Sequence, residues 1–174
     1  MAGPAPRRNL ARLRNPRAEY YAWKMEETQR IIDELRTQSE AGVPIIVEGR
    51  RDEAALRRLG VTGKVHCLKA RGESRHEFLD RLDGTKEAIV LTDFDREGKE
   101  LETWLYKELS QRGVKSDLKI WIRMRSLART EVRSVEELPS FIRALESRAR
   151  GIRPSYSSGP TYLAKKTNRV GTGK

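Results

Sequence analysis

The chain has 174 residues, enough for one core-bearing domain with extensions and too few for two ordinary domains. Lys and Arg number 36 against 25 Asp and Glu, a formal net charge of +11, which calls for a polyanionic partner or an acidic surface. A single cysteine, Cys67, excludes an internal disulfide, no run approaches the roughly 18 apolar residues of a membrane span, and the N-terminus lacks the hydrophobic core of a signal peptide, so a cytoplasmic setting without a membrane is expected.

The charge is unevenly spread. Residues 1–18 carry Arg7, Arg8, Arg12, Arg14 and Arg17 with no acid, and residues 148–174 carry seven basic residues, again with no acid. The stretch between them holds 24 basic and 25 acidic residues and is electrically balanced. Both ends are rich in Gly, Pro, Ser and Asn, so the arm at 1–18 and the tail at 151–174 are expected to be disordered when free. On a nucleic acid their cations would release counterions, and Tyr156 and Tyr162 could stack on bases. The alternative is that they are solubilising termini.

In chain order, Tyr21, Met25, Thr28, Ile32 and Leu35 fall at helical spacing and predict a helix over 19–42 closed by Gly42. "VPIIVEGR" reads as a strand buried on both faces, and "RDEAALRRLG" as a helix. "KVHCL" predicts a second strand, "ESRHEFLDRL" a helix, "EAIVLT" a third strand and "EGKELETWLYKELSQRG" a long helix. "DLKIWIRM" alternates like a fourth strand, and "SVEELPSFIRALESRAR" begins with a capping-box pattern, Ser134 with Glu137, before a last helix over 131–150. Strands alternating with helices predict an α/β fold with a parallel sheet of about four strands and helices on both faces. Such sheets gather functional groups at the carboxyl ends of their strands.

That rule bears on "AIVLTDFDREGKEL". Asp93 and Asp95 follow the third strand and Glu48 ends the first, so three acids from distant segments should meet on one sheet edge. Asp93 and Asp95 are two apart on extended chain and can share a direction, while Gly98 permits a tight turn into the next helix. Carboxylates this close must raise one another's pKa or recruit a cation. A hard divalent ion such as Mg2+, held by one or two carboxylates and several waters, is one solution. The spacing also begins an EF-hand loop, but the twelfth position, which there is Glu, is Trp104. Acids decorating a helix N-terminus are a further alternative.

Together, "IIVEGRRDEAALRRLG" and "AIVLTDFDREGKEL" resemble the Toprim domain shared by topoisomerases, bacterial primases and the small ribonucleases that mature 5S ribosomal RNA, and "DREG" is similar to the type IA topoisomerase form. The resemblance covers about residues 43–125 and implies a Rossmann-like Toprim domain over 43–130. Glu48, Asp93 and Asp95 match the family's acidic positions, Glu97 the extra acid of the topoisomerase form, and Asp52 an acid after Glu48-Gly49. Phe94 departs from the Pro usual between the two aspartates. The chain is too short for the tyrosine-bearing topoisomerase domains or the primase zinc and polymerase regions, so the substrate does not carry over.

The resemblance implies metal-dependent phosphodiester chemistry. Asp93, Asp95 and Glu97 would bind Mg2+, with Mn2+ as a substitute, and Glu48 would act as general base or acid, for which a raised pKa would suit it. Gly49, Gly98 and Asp52 would shape the site. Arg50, Arg51, Arg96 and Lys99 would meet backbone phosphates, with Arg123 and Arg125 as a second wall, unless each is an ordinary surface ion pair. The expectation is a ribonuclease-like protein acting on structured RNA, most naturally ribosomal. The alternatives are a non-catalytic ribosome-associated or assembly scaffold and a DNA factor of the primase or topoisomerase kind.

Overall fold

The computed structural model describes residues 15–69, 72 and 74–151. The expectations for the basic arm and tail therefore fall outside the described residues, apart from 15–18 and 151.

Among the described residues, eleven elements follow one another: α1 Pro16–Glu40, β1 Ile45–Val47, α2 Arg50–Arg58, β2 Val65–Cys67, α3 Arg75–Asp80, β3 Glu87–Val90, α4 Arg96–Gln111, β4 Lys115–Asp117, α5 Lys119–Ala128, a 3-10 turn Val135–Glu137, and α6 Leu138–Ala149. The four strands form one sheet in the order β2-β1-β3-β4. All pairings are parallel, and Ile45 lies opposite Val65 on one side and Ile89 on the other.

Alternation along each strand divides the core in two. Ile45, Val47 and Ile89 point into a layer with α1, α2, α5 and α6, while Ile46, Ala88 and Val90 point into a layer with α3 and α4. Because both faces are covered, β1 is apolar at every position, as the sequence predicts for a central parallel strand. Burying each large aliphatic side chain here contributes about 1.5–3 kcal/mol.

Helix α1 begins at Pro16, three residues before its expected start. Asn15 caps it, its Oδ1 accepting from the backbone N–H of Arg17 at 3.1 Å and of Ala18 at 3.4 Å, and Pro16 takes the first turn where its missing N–H costs nothing. Its buried face packs against α6 and α5. The one charge on that face, Lys24, is 2 % exposed and paired with Glu131.

Two expectations need correction. The fourth strand is Lys115–Asp117, and "KIWIRMRSLA" is α5. A strand would place Ile120 and Ile122 on the same face, yet Ile120 is 1 % exposed and Ile122 56 %. Ile120, Trp121, Met124 and Ala128 are the buried set, and they are spaced as one helix face. The capping box at Ser134 is also absent: its side chain caps nothing, and Glu137 Oε2 instead accepts from the N–H of Arg133 at 2.8 Å. A 3-10 turn intervenes and α6 starts at Leu138 with Pro139 in its first turn.

Candidate active site

Strand order 2-1-3-4 means the chain leaves β1 and β3 in opposite senses. After β1 it turns through Glu48 and Gly49 into α2, which packs on one face; after β3 it turns through Thr92–Asp95 into α4, which packs on the other. The crevice between those two departures is where open parallel sheets place ligands. Glu48 and the Asp93–Asp95 turn stand on its two lips.

Their contact is direct. Glu48 is 6 % exposed, and its Oε1 accepts from the backbone N–H of Asp93 at 3.1 Å. Asp93 Oδ1 in turn accepts from the N–H of Val135 at 2.9 Å, and Phe94 N–H donates to the Arg133 carbonyl at 2.8 Å. Trp121 Nε1 donates to the Thr92 carbonyl at 3.0 Å, while Thr92 Oγ1 donates to the Gly98 carbonyl at 2.9 Å. Asp95 caps α4, its Oδ1 accepting from Gly98 N–H at 2.8 Å. The helix-terminus alternative thus holds literally for one oxygen of Asp95. Phe94, the departure from the usual Pro, is 7 % exposed and packs in the core, its ring 6.4 Å from that of Trp121.

The two glycines differ. A Cβ on Gly98 would lie 2.0 Å from the Asp93 carbonyl oxygen, so no side chain fits. At Gly49 nothing comes nearer than Asp52 Oδ2 at 3.9 Å, so space does not demand glycine there. Asp52 Oδ2 accepts from Gly49 N–H at 2.9 Å and caps α2.

Negative charge crowds this crevice. Burial pushes the Asp93 carboxyl up to about 7; Asp52, Glu48 and Asp95 add to the rise, against the bond from Val135. Burial also raises Asp52, with Glu48 adding to it. Part of the relief comes from a residue with no sequence signal. Lys69, just past β2, reaches Glu48 Oε2 at 2.7 Å and Glu97 Oε1 at 3.0 Å. Its pKa is raised by the bond to Glu48 first and then by the bond to Glu97. Glu48 is therefore held at both oxygens, and Glu97 faces the crevice through Lys69.

The expected phosphate contacts fall into distinct settings. Arg50 is exposed at the start of α2, and Arg51, 88 % exposed, lies 4.0 Å from Glu136. Arg96 is paired with Glu100 at 3.0 Å on the same helix. Arg123 and Arg125 belong to α5 rather than to a strand end, and Arg123 is paired with Glu34 of α1. Lys99 and Arg125 meet on one ring: Lys99 Nζ is 4.9 Å and the Arg125 guanidinium 5.1 Å from the Trp121 centroid. Lys99 also pairs with the buried Glu102.

Among the described residues no three His, Cys, Asp or Glu side chains converge as a ready metal cage. The donor chemistry nevertheless suits a hard cation. Oδ2 of Asp93 and of Asp95 has no hydrogen bond among the described residues, all the acids present oxygen, and the crowding that raises Asp93 is what a divalent ion relieves. Two carboxylates and several waters are a magnesium-like donor set.

The Toprim domain family model matches residues 42–118, from the turn after α1 to the end of β4. A UPF0292 protein from Methanosarcina acetivorans is 34 % identical over 131 residues, 75 % of this chain and 90 % of that protein. One from Thermoplasma volcanium is 41 % identical over 108 residues, 61 % of this chain and 88 % of its own length. A solved structure of a protein from Aquifex aeolicus aligns with a TM-score of 0.55 at 26 % identity, covering 62 % of this chain and 94 % of that one. Sequence, crevice and fold agree: the chain belongs to the UPF0292 family and carries a Toprim domain.

Proposed function

We propose that this protein is a magnesium-dependent ribonuclease acting on structured RNA, ribosomal RNA being the natural substrate for a chain with acid-free basic ends. The observation that supports the reading most is the bond from Asp93 N–H to Glu48 Oε1, which joins acids 45 residues apart at the crevice. Asp93 and Asp95 would hold Mg2+ or Mn2+, with Glu97 a direct or water-mediated third ligand. A bound divalent ion would neutralise charge developing on the phosphate.

The chain's own groups do the rest. Glu48 takes the proton of the attacking water or returns one to the leaving oxygen, and for either task Lys69 must release Glu48 Oε2. Lys69, released from Glu48 and still bonded to Glu97, would then meet a phosphate oxygen. Arg50 and Arg51 on one lip and Arg96 and Lys99 on the other would steady the flanking backbone, the latter two on leaving Glu100 and Glu102.

The test is incubation of a structured rRNA precursor with the full chain, with and without Mg2+. Discrete cuts that need the metal and disappear in Asp95→Asn, which keeps the cap but removes the charge, support the reading; no cleavage of authentic precursors, RNA or DNA, sinks it. One observation favours a non-catalytic RNA scaffold instead: Lys69 already bridges Glu48 and Glu97 as an internal cation. In that case Glu48→Gln leaves ribosome association and cell growth unchanged, whereas deleting the basic ends abolishes association.

A further inference from the structure

The outer surface of α1 and α5 takes no part in the acid cluster, yet it carries large apolar groups in the open. Tyr20, Trp23 and Ile122 are 50 %, 52 % and 56 % exposed. Tyr20 and Trp23 lie one turn apart on α1, with rings 6.0 Å apart and inclined at 36°. With Ile122 they line an open groove of about 630 Å³ that Arg129 also borders.

This groove does not end there. A second one, of about 580 Å³, shares Ile122, Ser126 and Arg129 with the first and continues along Arg125 and Trp121 to Lys99 and Phe94. Phe94 is the residue between Asp93 and Asp95, so the second groove reaches the acidic turn at Phe94, with neither carboxylate in its lining. Arg129, at the junction, is the one residue other than glycine at positive φ among the described residues, with φ of 46°. That reversal at the end of α5 sets Arg129 in the walls of both grooves.

We infer that the two grooves form a single track for single-stranded nucleic acid, with bases stacked on Tyr20 and Trp23 and the backbone led past Arg129, Arg125 and Lys99 to the Asp93–Asp95 turn. The inference rests on the proposed nuclease reading only for the destination of the strand. Every base has a flat face, so exposed aromatic rings bind strands with little regard to sequence, and cations alongside them meet the phosphates. Charge argues for a polyanion over a second copy of the chain. The acid bordering the track, Glu27, is already paired with Arg30, whereas Arg125 and Arg129 are exposed. An apolar self-contact would have no use for them.

Fluorescence anisotropy with a labelled oligouridylate and the full chain, in EDTA so that no metal chemistry intervenes, tests the track. Tyr20→Ala with Trp23→Ala should weaken binding about tenfold or more, and Tyr20→Phe with Trp23→Phe should restore it. Wild-type affinity in the alanine pair overturns the inference. So does sedimentation showing a dimer that the alanine pair dissolves, which would assign the face to self-association. Weakened binding in a protein that cuts no precursor would leave the track standing and sink only the nuclease reading; intact binding with intact cleavage would do the reverse.

Discussion

Gly98 has no room for a side chain, because a Cβ there would sit 2.0 Å from the carbonyl oxygen of Asp93. That contact folds the acidic turn tightly enough for Asp95 to cap α4 while Asp93 faces Val135. Gly98→Ala is therefore expected to cost about 1–3 kcal/mol or more, read as a lower urea midpoint at unchanged slope. Lys69 poses a different test at the same scale. As the internal counter-ion of Glu48 and Glu97, its replacement in Lys69→Met should lower the melting temperature without metal and enlarge the increase that Mg2+ produces. An unchanged Mg2+ increment would remove Lys69 from that role. No sequence pattern marks this lysine, since it reaches Glu48 across 21 residues by way of the β1–β2 pairing. Glu48, Asp93 and Asp95 were legible because strand ends, glycines and alternating acids are local features.

At the scale of elements, the acidic turn is a product of helix placement. Trp121 of α5 donates to the Thr92 carbonyl, and the segment leading into α6 supplies Arg133 and Val135 to the same turn. These parts lie beyond the residues matched by the Toprim model, so the acids within the match are held by helices outside it. Trp121→Phe keeps the packing and leaves the buried Thr92 carbonyl without its donor, a loss of about 1–3 kcal/mol by chemical denaturation. Such support was illegible because Ile120, Ile122 and Met124 mimic strand alternation when α5 is read alone. Only contact with α1 on one side and the sheet on the other shows which of them is buried. The remaining helices and three of the strands were legible because their apolar periods and closing glycines agree.

The whole molecule divides its charge between a balanced middle and cationic ends. The charge excess lies in residues 1–18 and 148–174; on the proposed reading it would supply salt-sensitive attraction to a polyanion, while the sheet crevice would carry the chemistry. Global stability should carry a pH signature from the side of the sheet away from α1. Burial, with Lys64 and Arg81 adding to it, lowers the His66 pKa from 6.5 to about 4. The unfolded chain therefore takes up this proton first, so the contribution of His66 is full above about pH 6.5 and is lost as pH drops towards 4, while the raised Asp93 carboxyl acts in the opposite sense over the same range. His66→Asn should flatten that decline by up to about 1.4 kcal/mol per pH unit within the window.

Titration of the full chain with Mn2+, followed by the loss of the free-ion electron paramagnetic resonance signal, addresses the crevice most directly. Binding should saturate and be displaced by Mg2+; Asp93→Asn and Asp95→Asn should each weaken it strongly, and Tyr20→Ala with Trp23→Ala should leave it unchanged. Binding that survives both aspartate substitutions, or no saturable binding at millimolar Mn2+, would contradict a metal site at this turn.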